Sequence, residues 1–181
     1  MNYAVDDIGK VVAAMRNDPE LVALFGDELA GMAPFYLYGH RLDIANRLLQ
    51  KDNDKVYKYQ KYPLIALIMD FPEQIDQGMS KYTLHIVILH STDPNYTTDD
   101  RYTWVFKPIL YPLYLKFMEY LRKVGKYTWM GDMQYPPHTK IDRPFWGTVY
   151  DQGNAAYIFN DRLDAIELSD LKLSKTIKNC N

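Results

Sequence analysis

Cysteine is nearly absent from this chain, because its 181 residues include only Cys180. No intrachain disulfide can form, and a reducing compartment is the expected location. The first ten residues carry two acidic side chains and no apolar core, so we expect no signal peptide. The longest apolar run, PLIALIM at 63–69, is far too short to cross a bilayer. These absences favour a soluble protein of the cytosolic type.

The chain also lacks the motifs that mark nucleotide-binding loops, zinc proteases, serine nucleophiles and paired-cysteine metal sites. His85 and His90 are five residues apart on one predicted strand, so they point to opposite faces and cannot chelate a metal together. Residues 52–63 begin like a calcium loop, but Tyr57 and Pro63 stand where the glycine and the bidentate glutamate belong. We therefore predict no catalytic residue, no metal ligand and no cofactor, and a protein that is not an enzyme. An enzyme of unrecognised type, with His85 and carboxylates converging in a pocket, stays an alternative.

The net charge of -2 and the pI near 6.1 give no global attraction to nucleic acid or to anionic membranes. Tyrosine is abundant, with 16 residues against 7 Phe and 3 Trp. A tyrosine ring with a polar tip suits a surface that is half buried or becomes buried on association. Tyrosines that flank the core of a β-rich fold are the second interpretation.

The periodicity of the apolar residues predicts the fold class. Helical spacing occurs in the first 25 residues, at 40–54 and from Asp99 onwards, whereas 61–71 and 81–92 read as strands. The residues between these two strands predict a hairpin loop of about eight residues. The sequence thus predicts one α+β domain over residues 1–181, with helices packed on a mainly antiparallel β-sheet.

The last predicted strand, within 155–175, carries a phase change. Ile166 and Leu168 alternate in one phase, and Leu171 and Leu173 alternate out of step with them. A slip of this kind within a long strand is a β-bulge signature.

The longest amphipathic segment, Asp99 to Tyr127, contains Pro108 and Pro112. A proline inside a helix costs roughly 3 kcal/mol, because it lacks an N–H and clashes with the carbonyl four residues before it. Seven apolar residues keep helical phase across both prolines: Ile109, Leu110, Leu113, Phe117, Tyr120, Leu121 and Val124. This favours one bent helix with the prolines on its outer face. A turn at 108–111 followed by a helix that begins at Pro112 is the alternative.

The outer face of this helix is itself apolar. We predict a candidate assembly surface there, formed by Pro108, Tyr111, Pro112, Leu115 and Met118. A helix that is apolar on both sides is either sandwiched inside its domain or covered by another chain.

A second candidate surface interleaves lysine and tyrosine: Lys55, Tyr57, Lys58, Tyr59, Lys61 and Tyr62. Alternating cations and rings can neutralise phosphates and stack bases, so a small single-stranded nucleic-acid-binding module is the alternative function. The simpler interpretation is a half-exposed segment whose lysines discourage edge-to-edge strand pairing.

Three stretches together carry a family resemblance: YPLIALIMDFPE (62–73), DRYTWVFKPILYPLYLKFMEYL (100–121) and NDRLDAIELSDLKLSK (160–175). After an opening helix and YGHRLDIANRLL, they resemble small tail-completion proteins of tailed bacteriophages and prophages, of the tail-terminator or head–tail joining type. The resemblance covers about 40–170 and contains no catalytic motif.

The resemblance implies a structural subunit that assembles as a homo-oligomeric ring, commonly a hexamer. Such a ring caps the tail tube and meets the neck or connector proteins. The expected partners are therefore further copies of the chain, the tube and the neck, with no membrane, no cofactor and, as an expectation, no nucleic acid. The expected location is the virion, assembled in the bacterial cytoplasm.

Overall fold

A twisted sheet with helices on both faces forms the fold in the computed structural model. The structure describes residues 3–25, 33–52, 61–76, 78–129, 135–142, 148–151, 154–157 and 161–176. The helices are α1 (Ala4–Met15), α2 (Pro19–Phe25), α3 (Arg41–Asp52), α4 (Thr98–Arg101), a π-helix (Tyr102–Leu110) and α5 (Tyr111–Lys123). The strands are β1 (Phe35–Gly39), β2 (Leu64–Ile68), β3 (Glu73–Asp76), β4 (Met79–Ser91), β5 (Thr128–Trp129), β6 (Thr139–Asp142), β7 (Thr148–Asp151), β8 (Asn154–Tyr157) and β9 (Leu163–Thr176).

The main sheet has seven strands in the described part of the chain, and its central order is β1-β2-β4-β9-β5. β3 pairs with β4 beyond the end of β2, and β6 pairs with β9 beyond the end of β5. β1 and β2 are parallel, and the other pairings are antiparallel. β7 and β8 form a separate two-stranded ladder. The prediction of an α+β fold on a mainly antiparallel sheet is confirmed.

Each face of the sheet has its own apolar cluster. The front face packs against α1, the π-helix and α5 through Ile65, Leu67, Tyr82, Leu84, Ile86, Ile88, Ile166, Leu168, Leu171 and Leu173. The back face packs against α3 through Leu64, Ala66, Ile68, Val87, Leu89, Leu163 and Ala165. Because β2 is covered on both faces, all five of its residues are buried, and its sequence is a continuous apolar run.

The β-bulge predicted in the last strand is confirmed in β9. Leu84 of β4 pairs with Leu171, and Ile86 pairs with Leu168, so two residues of β9 oppose the single residue His85. The extra residue brings Leu168 and Leu171 to the same front face although they are three positions apart.

The prediction of an eight-residue loop before the second strand is wrong. Residues 73–76 form β3, and Asp76 pairs with Met79, so the connection is a tight hairpin. Gly78 has a φ of 77°, a left-handed conformation that favours glycine in such turns. All four side chains of β3 are exposed, so this strand lacks the apolar alternation that would have revealed it.

The proline-bearing segment is one continuous helical segment from Thr98 to Lys123, as the bent-helix interpretation predicts, and the alternative start at Pro112 is wrong. Thr97 and Asp100 begin it with a reciprocal capping box. The nine residues of the π-helix surround Pro108, and the Tyr111 N–H donates to the carbonyl five residues back, on Phe106. The wider turn leaves room between the proline ring and the carbonyl that would clash with it in an α-helix.

A buried carboxylate joins the first helix to the end of the last strand. Asp7 of α1 forms an ion pair with Lys175 of β9 and accepts a hydrogen bond of 3.2 Å from the hydroxyl of Tyr127. Asp7 is buried, and Tyr127 is buried against Tyr82 on the front face. These contacts hold α1 against Tyr127 and the C-terminal end of β9.

We expect Asp7→Ala to lower the free energy of unfolding by roughly 3 kcal/mol, because it leaves a buried hydroxyl and a partly buried ammonium without their shared partner. Asp6→Ala is the matched control, since Asp6 is the exposed neighbour on the same helix. Urea unfolding of both variants measures the difference. Equal stabilities would show that Asp7 does not anchor α1 to β9.

Candidate assembly surface

An apolar strip runs along the outer side of the continuous helix, facing away from the sheet. Trp104 is 60% exposed and Leu115 is 43% exposed. Pro108 is exposed, and Tyr111 and Pro112 are half-buried. We name these five residues the helix strip. Four of them are in the predicted assembly surface, and they lie together in the structure.

Met118 does not belong to the helix strip, and its inclusion in the predicted surface is wrong. Its side chain is fully buried in the front cluster, where α1 packs against α5. Within α5, at about 100° per residue, Met118 lies about 100° from the buried Phe117, whereas Leu115 lies about 160° from it. Met118 is therefore on the flank of the helix, within reach of the neighbouring helix.

Trp104 is the residue that the sequence prediction missed. The same helical count places it about 160° from Phe106, next to Pro108 on the outer side. Its position was thus available from the sequence. A large exposed indole on a rigid helix is a typical anchor of protein–protein contacts.

The segment 135–142 supports one border of the helix strip. The ring of His138 lies 4.4 Å from that of Tyr114 and 6.1 Å from that of Tyr111. The Tyr114 hydroxyl donates to the carbonyl of Pro136 at 2.8 Å, and burial raises the pKa of this hydroxyl to about 12. Lys140 lies over the ring of Phe106. These contacts hold Tyr111 in place while Trp104 and Leu115 stay exposed.

Charged side chains form the opposite border. The ammonium of Lys116 lies 2.6 Å from Glu20, 3.0 Å from Glu119 and 3.6 Å from Asp18. Asp18 also caps α2 through the N–H groups of Glu20 and Leu21. With three carboxylates around one ammonium, this border is acidic. An apolar centre with a polar, charged rim is the usual organisation of a protein interface.

The lysine–tyrosine stretch is only partly described. Lys61 is buried, and its ammonium lies 2.7 Å from the carboxylate of Asp161. The Tyr62 hydroxyl donates to the same carboxylate at 2.8 Å. These two side chains are engaged inside the fold, contrary to an open platform for bases. Lys55, Tyr57, Lys58 and Tyr59 lie outside the described residues.

The two strand histidines lie on opposite faces, as predicted. His85 contacts Glu167 on the back face, where Arg41 of α3 lies 3.4 Å from the same carboxylate. His90 is on the other face, where Asp164 is its cross-strand neighbour in the β4–β9 ladder. Within the described ranges, no group of three or more His, Cys, Asp or Glu residues could hold a metal ion.

A buried polar cluster contains Asp164, the cross-strand partner of His90. Arg101 of α4 forms ion pairs with Asp142 of β6 and with Asp164 of β9, the latter at 3.2 Å. Asp164 and Arg101 are buried, so this pair attaches the start of the long helix to the sheet. Burial lowers the pKa of His90 from its ordinary value of 6.5 to about 4. His90 is therefore neutral at neutral pH.

Among the described residues, no helix combines the length and the hydrophobicity needed to span a bilayer. Comparisons of the chain with protein-family models, with curated proteins and with solved structures give no match.

His90 should make the fold sensitive to mild acid. Because its pKa is lower in the folded chain, the unfolded chain binds the extra proton, and stability falls as the pH drops from about 6.5 towards 4. Between pH 7 and pH 5 we expect this group to remove roughly 2 kcal/mol from the free energy of unfolding, a loss that His90→Gln lacks. Urea unfolding at the two pH values measures the difference. An NMR titration that gives His90 its ordinary pKa would contradict this expectation.

Proposed function

We propose that the chain is a structural subunit of a phage tail. In this proposal it is a tail terminator or completion protein, which assembles as a ring at the end of the tail tube and joins the tube to the neck. The observation that carries the proposal is the helix strip, an apolar surface on a rigid helix with no described segment over it. The resemblance of the sequence to tail-completion proteins supplies the type of assembly.

The energetics of the helix strip favour association. Burying an apolar side chain contributes about 1.5–3 kcal/mol relative to leaving it exposed, so covering Trp104 and Leu115 is a substantial gain. A stable interface buries roughly 800 Å² on each partner, more than five side chains supply. We therefore place the helix strip at the centre of the contact, with the border at Lys116 and the border at His138 as its rim.

The role in the assembled particle follows from the same proposal. The partners are further copies of the chain, the tail tube and the neck proteins, and the location is the virion after assembly in the bacterial cytoplasm. A ring cap of this kind acts through shape and closure and needs no cofactor. The half-buried and exposed tyrosines are suited to such contacts because they bury a large ring at a low entropy cost.

The test of the proposal is a double variant, Trp104→Glu with Leu115→Glu. We expect the wild type to form a defined oligomer as its concentration rises and the variant to stay monomeric, because carboxylates in the centre of the contact would be buried without partners. Size-exclusion chromatography with light scattering across concentration measures this. Both positions are exposed, so the free energy of unfolding should change by no more than about 1 kcal/mol.

Leu42→Glu is the matched control, since Leu42 of α3 is 42% exposed but lies far from the helix strip in the fold. It should assemble as the wild type does. A double variant that still assembles would show that the helix strip is not the assembly surface. A wild-type monomer that binds single strands tightly and loses them at high salt would favour the nucleic-acid module instead.

A further inference from the structure

The first strand of the sheet has an open outer edge. β1 is the last strand on its side of the sheet, and it pairs with β2 alone among the described strands. The Phe35 N–H donates to the carbonyl of Pro63 at 2.9 Å, so every second residue of β1, beginning at Phe35, directs its backbone groups towards β2. Tyr36 and Tyr38 therefore direct their N–H and C=O groups outwards. In the described part of the chain these four groups have no hydrogen-bond partner.

β1 also lacks the usual protection of a sheet edge. Native edge strands are kept from pairing with other chains by charged residues, prolines or bulges. The sequence of β1, FYLYG, contains no charge and no proline, and its ladder with β2 has no register shift. Because α1 and α3 pack against the two faces of β1, its outer edge is the part that can still pair.

The opposite edge of the same sheet is open at β6. The hydrogen bond from the Thr92 N–H to the Arg162 carbonyl sets the alternation of the β4–β9 ladder, which turns the backbone groups of Ala165 towards β6. Ala165 is opposite Ile141, so Ile141 faces β9. The neighbouring Lys140 therefore directs its N–H and C=O groups outwards, and among the described residues they have no hydrogen-bond partner.

The two charged side chains of β6 are engaged with the long helix. The ammonium of Lys140 lies 4.9 Å from the centre of the Phe106 ring. Asp142 forms an ion pair with Arg101. Both side chains are thus directed onto the front face of their own subunit, and neither blocks the edge by repelling an approaching strand.

The open edge at β6 adjoins the helix strip. β6 belongs to the segment 135–142, whose His138 contacts Tyr111 at the border of the strip. The strip supplies less than the roughly 800 Å² that each partner of a stable interface buries. A neighbour that covers the strip and continues past this border onto β6 would bury more area.

The two edges are complementary in direction. β1 is parallel to β2, and the strands β2, β4, β9 and β6 alternate in direction, so β1 and β6 run in opposite directions. When two copies are related by a rotation about an axis along the strands, β1 of one copy is antiparallel to β6 of the next. Antiparallel pairing needs no further connection and is the more common kind.

The side chains of the two edges also match. Full overlap of the two strands places Tyr38 opposite Lys140 on the front face and Leu37 opposite Ile141 on the back face. Leu37 and Ile141 are both half-buried, and each packs against the back cluster of its own subunit. Pairing them joins the back clusters of two copies and removes both side chains from water.

We infer that the outer edge of β1 pairs, antiparallel, with the outer edge of β6 in a second copy of this chain, with Leu37 opposite Ile141. The inference rests on the proposed self-assembly and names a second contact within it. Because the contact joins two different edges, it repeats head to tail from copy to copy and forms a ring when the rotation closes.

Cysteine pairs test this contact directly. Within one subunit, Leu37 and Ile141 are four strand spacings apart, at least roughly 19 Å, which a disulfide cannot span. In a Cys180→Ser background, we expect a mixture of Leu37→Cys chains and Ile141→Cys chains to form covalent dimers on oxidation. Neither variant alone should form them. The control is Met79→Cys, on the same face but between β3 and β9, which should give no dimers with Leu37→Cys.

Two results of this experiment would overturn the inference. One is a mixture that gives no covalent dimers at concentrations at which the wild type associates. The other is Leu37→Cys chains that cross-link without the second variant, because that result would show that two β1 edges pair with each other.

Hydrogen exchange at single residues gives a readout that needs no variant. On association, we expect exchange of the Tyr36 and Tyr38 amides to slow at least about tenfold, because their N–H groups become hydrogen-bonded. The Leu37 amide is the internal control, since it faces β2 and should be protected in both states. Unchanged exchange at Tyr36 and Tyr38 in the oligomer would contradict the pairing.

A substitution on the other edge tests the contribution of Ile141. We expect Ile141→Lys to weaken self-association at least about tenfold, because it places a cation opposite Leu37. Met79→Lys is the matched control, because it makes the same change on the same face in an interior strand, and it should associate within about twofold of the wild type. Light scattering across concentration measures both variants. Equal effects of the two would overturn the inference.

The outcomes separate this inference from the proposed function. If Trp104→Glu with Leu115→Glu abolishes the oligomer, and the mixed cysteine variants give no dimers, the helix strip is an assembly surface and the edge contact is wrong. Cross-linking that survives this double variant would support the edge contact and show that the helix strip is not the assembly surface. A wild-type chain that stays monomeric at every concentration overturns both.

Discussion

The long ladder between β4 and β9 is the constraint on which the rest of the structure depends. Strands of 13 and 14 residues give a sheet about 45 Å long, and a sheet of that length needs long partners on its faces. The single bulge opposite His85 keeps Leu168 on one side of it and Leu171 and Leu173 on the other side on the same front face. The front cluster is therefore continuous, and a long helix is needed to cover it.

The helix with two prolines meets this requirement. Thr98 to Lys123 is a helical run of 26 residues, about 35–40 Å long, which matches the sheet far better than two short helices would. A π-helix around Pro108 lets the run continue where an α-helix would be broken. The prolines then lie on the outer side, between Trp104 and Leu115. The proline-bearing helix that covers the core thus also places apolar side chains on the surface.

The fold class, the bulge in β9 and most of the helix strip could be predicted from the sequence, because these depend on periodicity along one element. β3 could not be predicted, because its exposed side chains show no apolar alternation. It also misjudged Met118 and Lys61, because their burial depends on neighbours that are distant in the chain: α1 for Met118, and Asp161 for Lys61.

The central proposal is that the chain closes into a ring through its helix strip. Electron microscopy of the purified chain, at concentrations at which it associates, tests this most directly. We expect closed rings of a single size, with the helix strip of each subunit inside a contact between neighbours. Two-fold dimers, open filaments or particles of monomer size alone would contradict it.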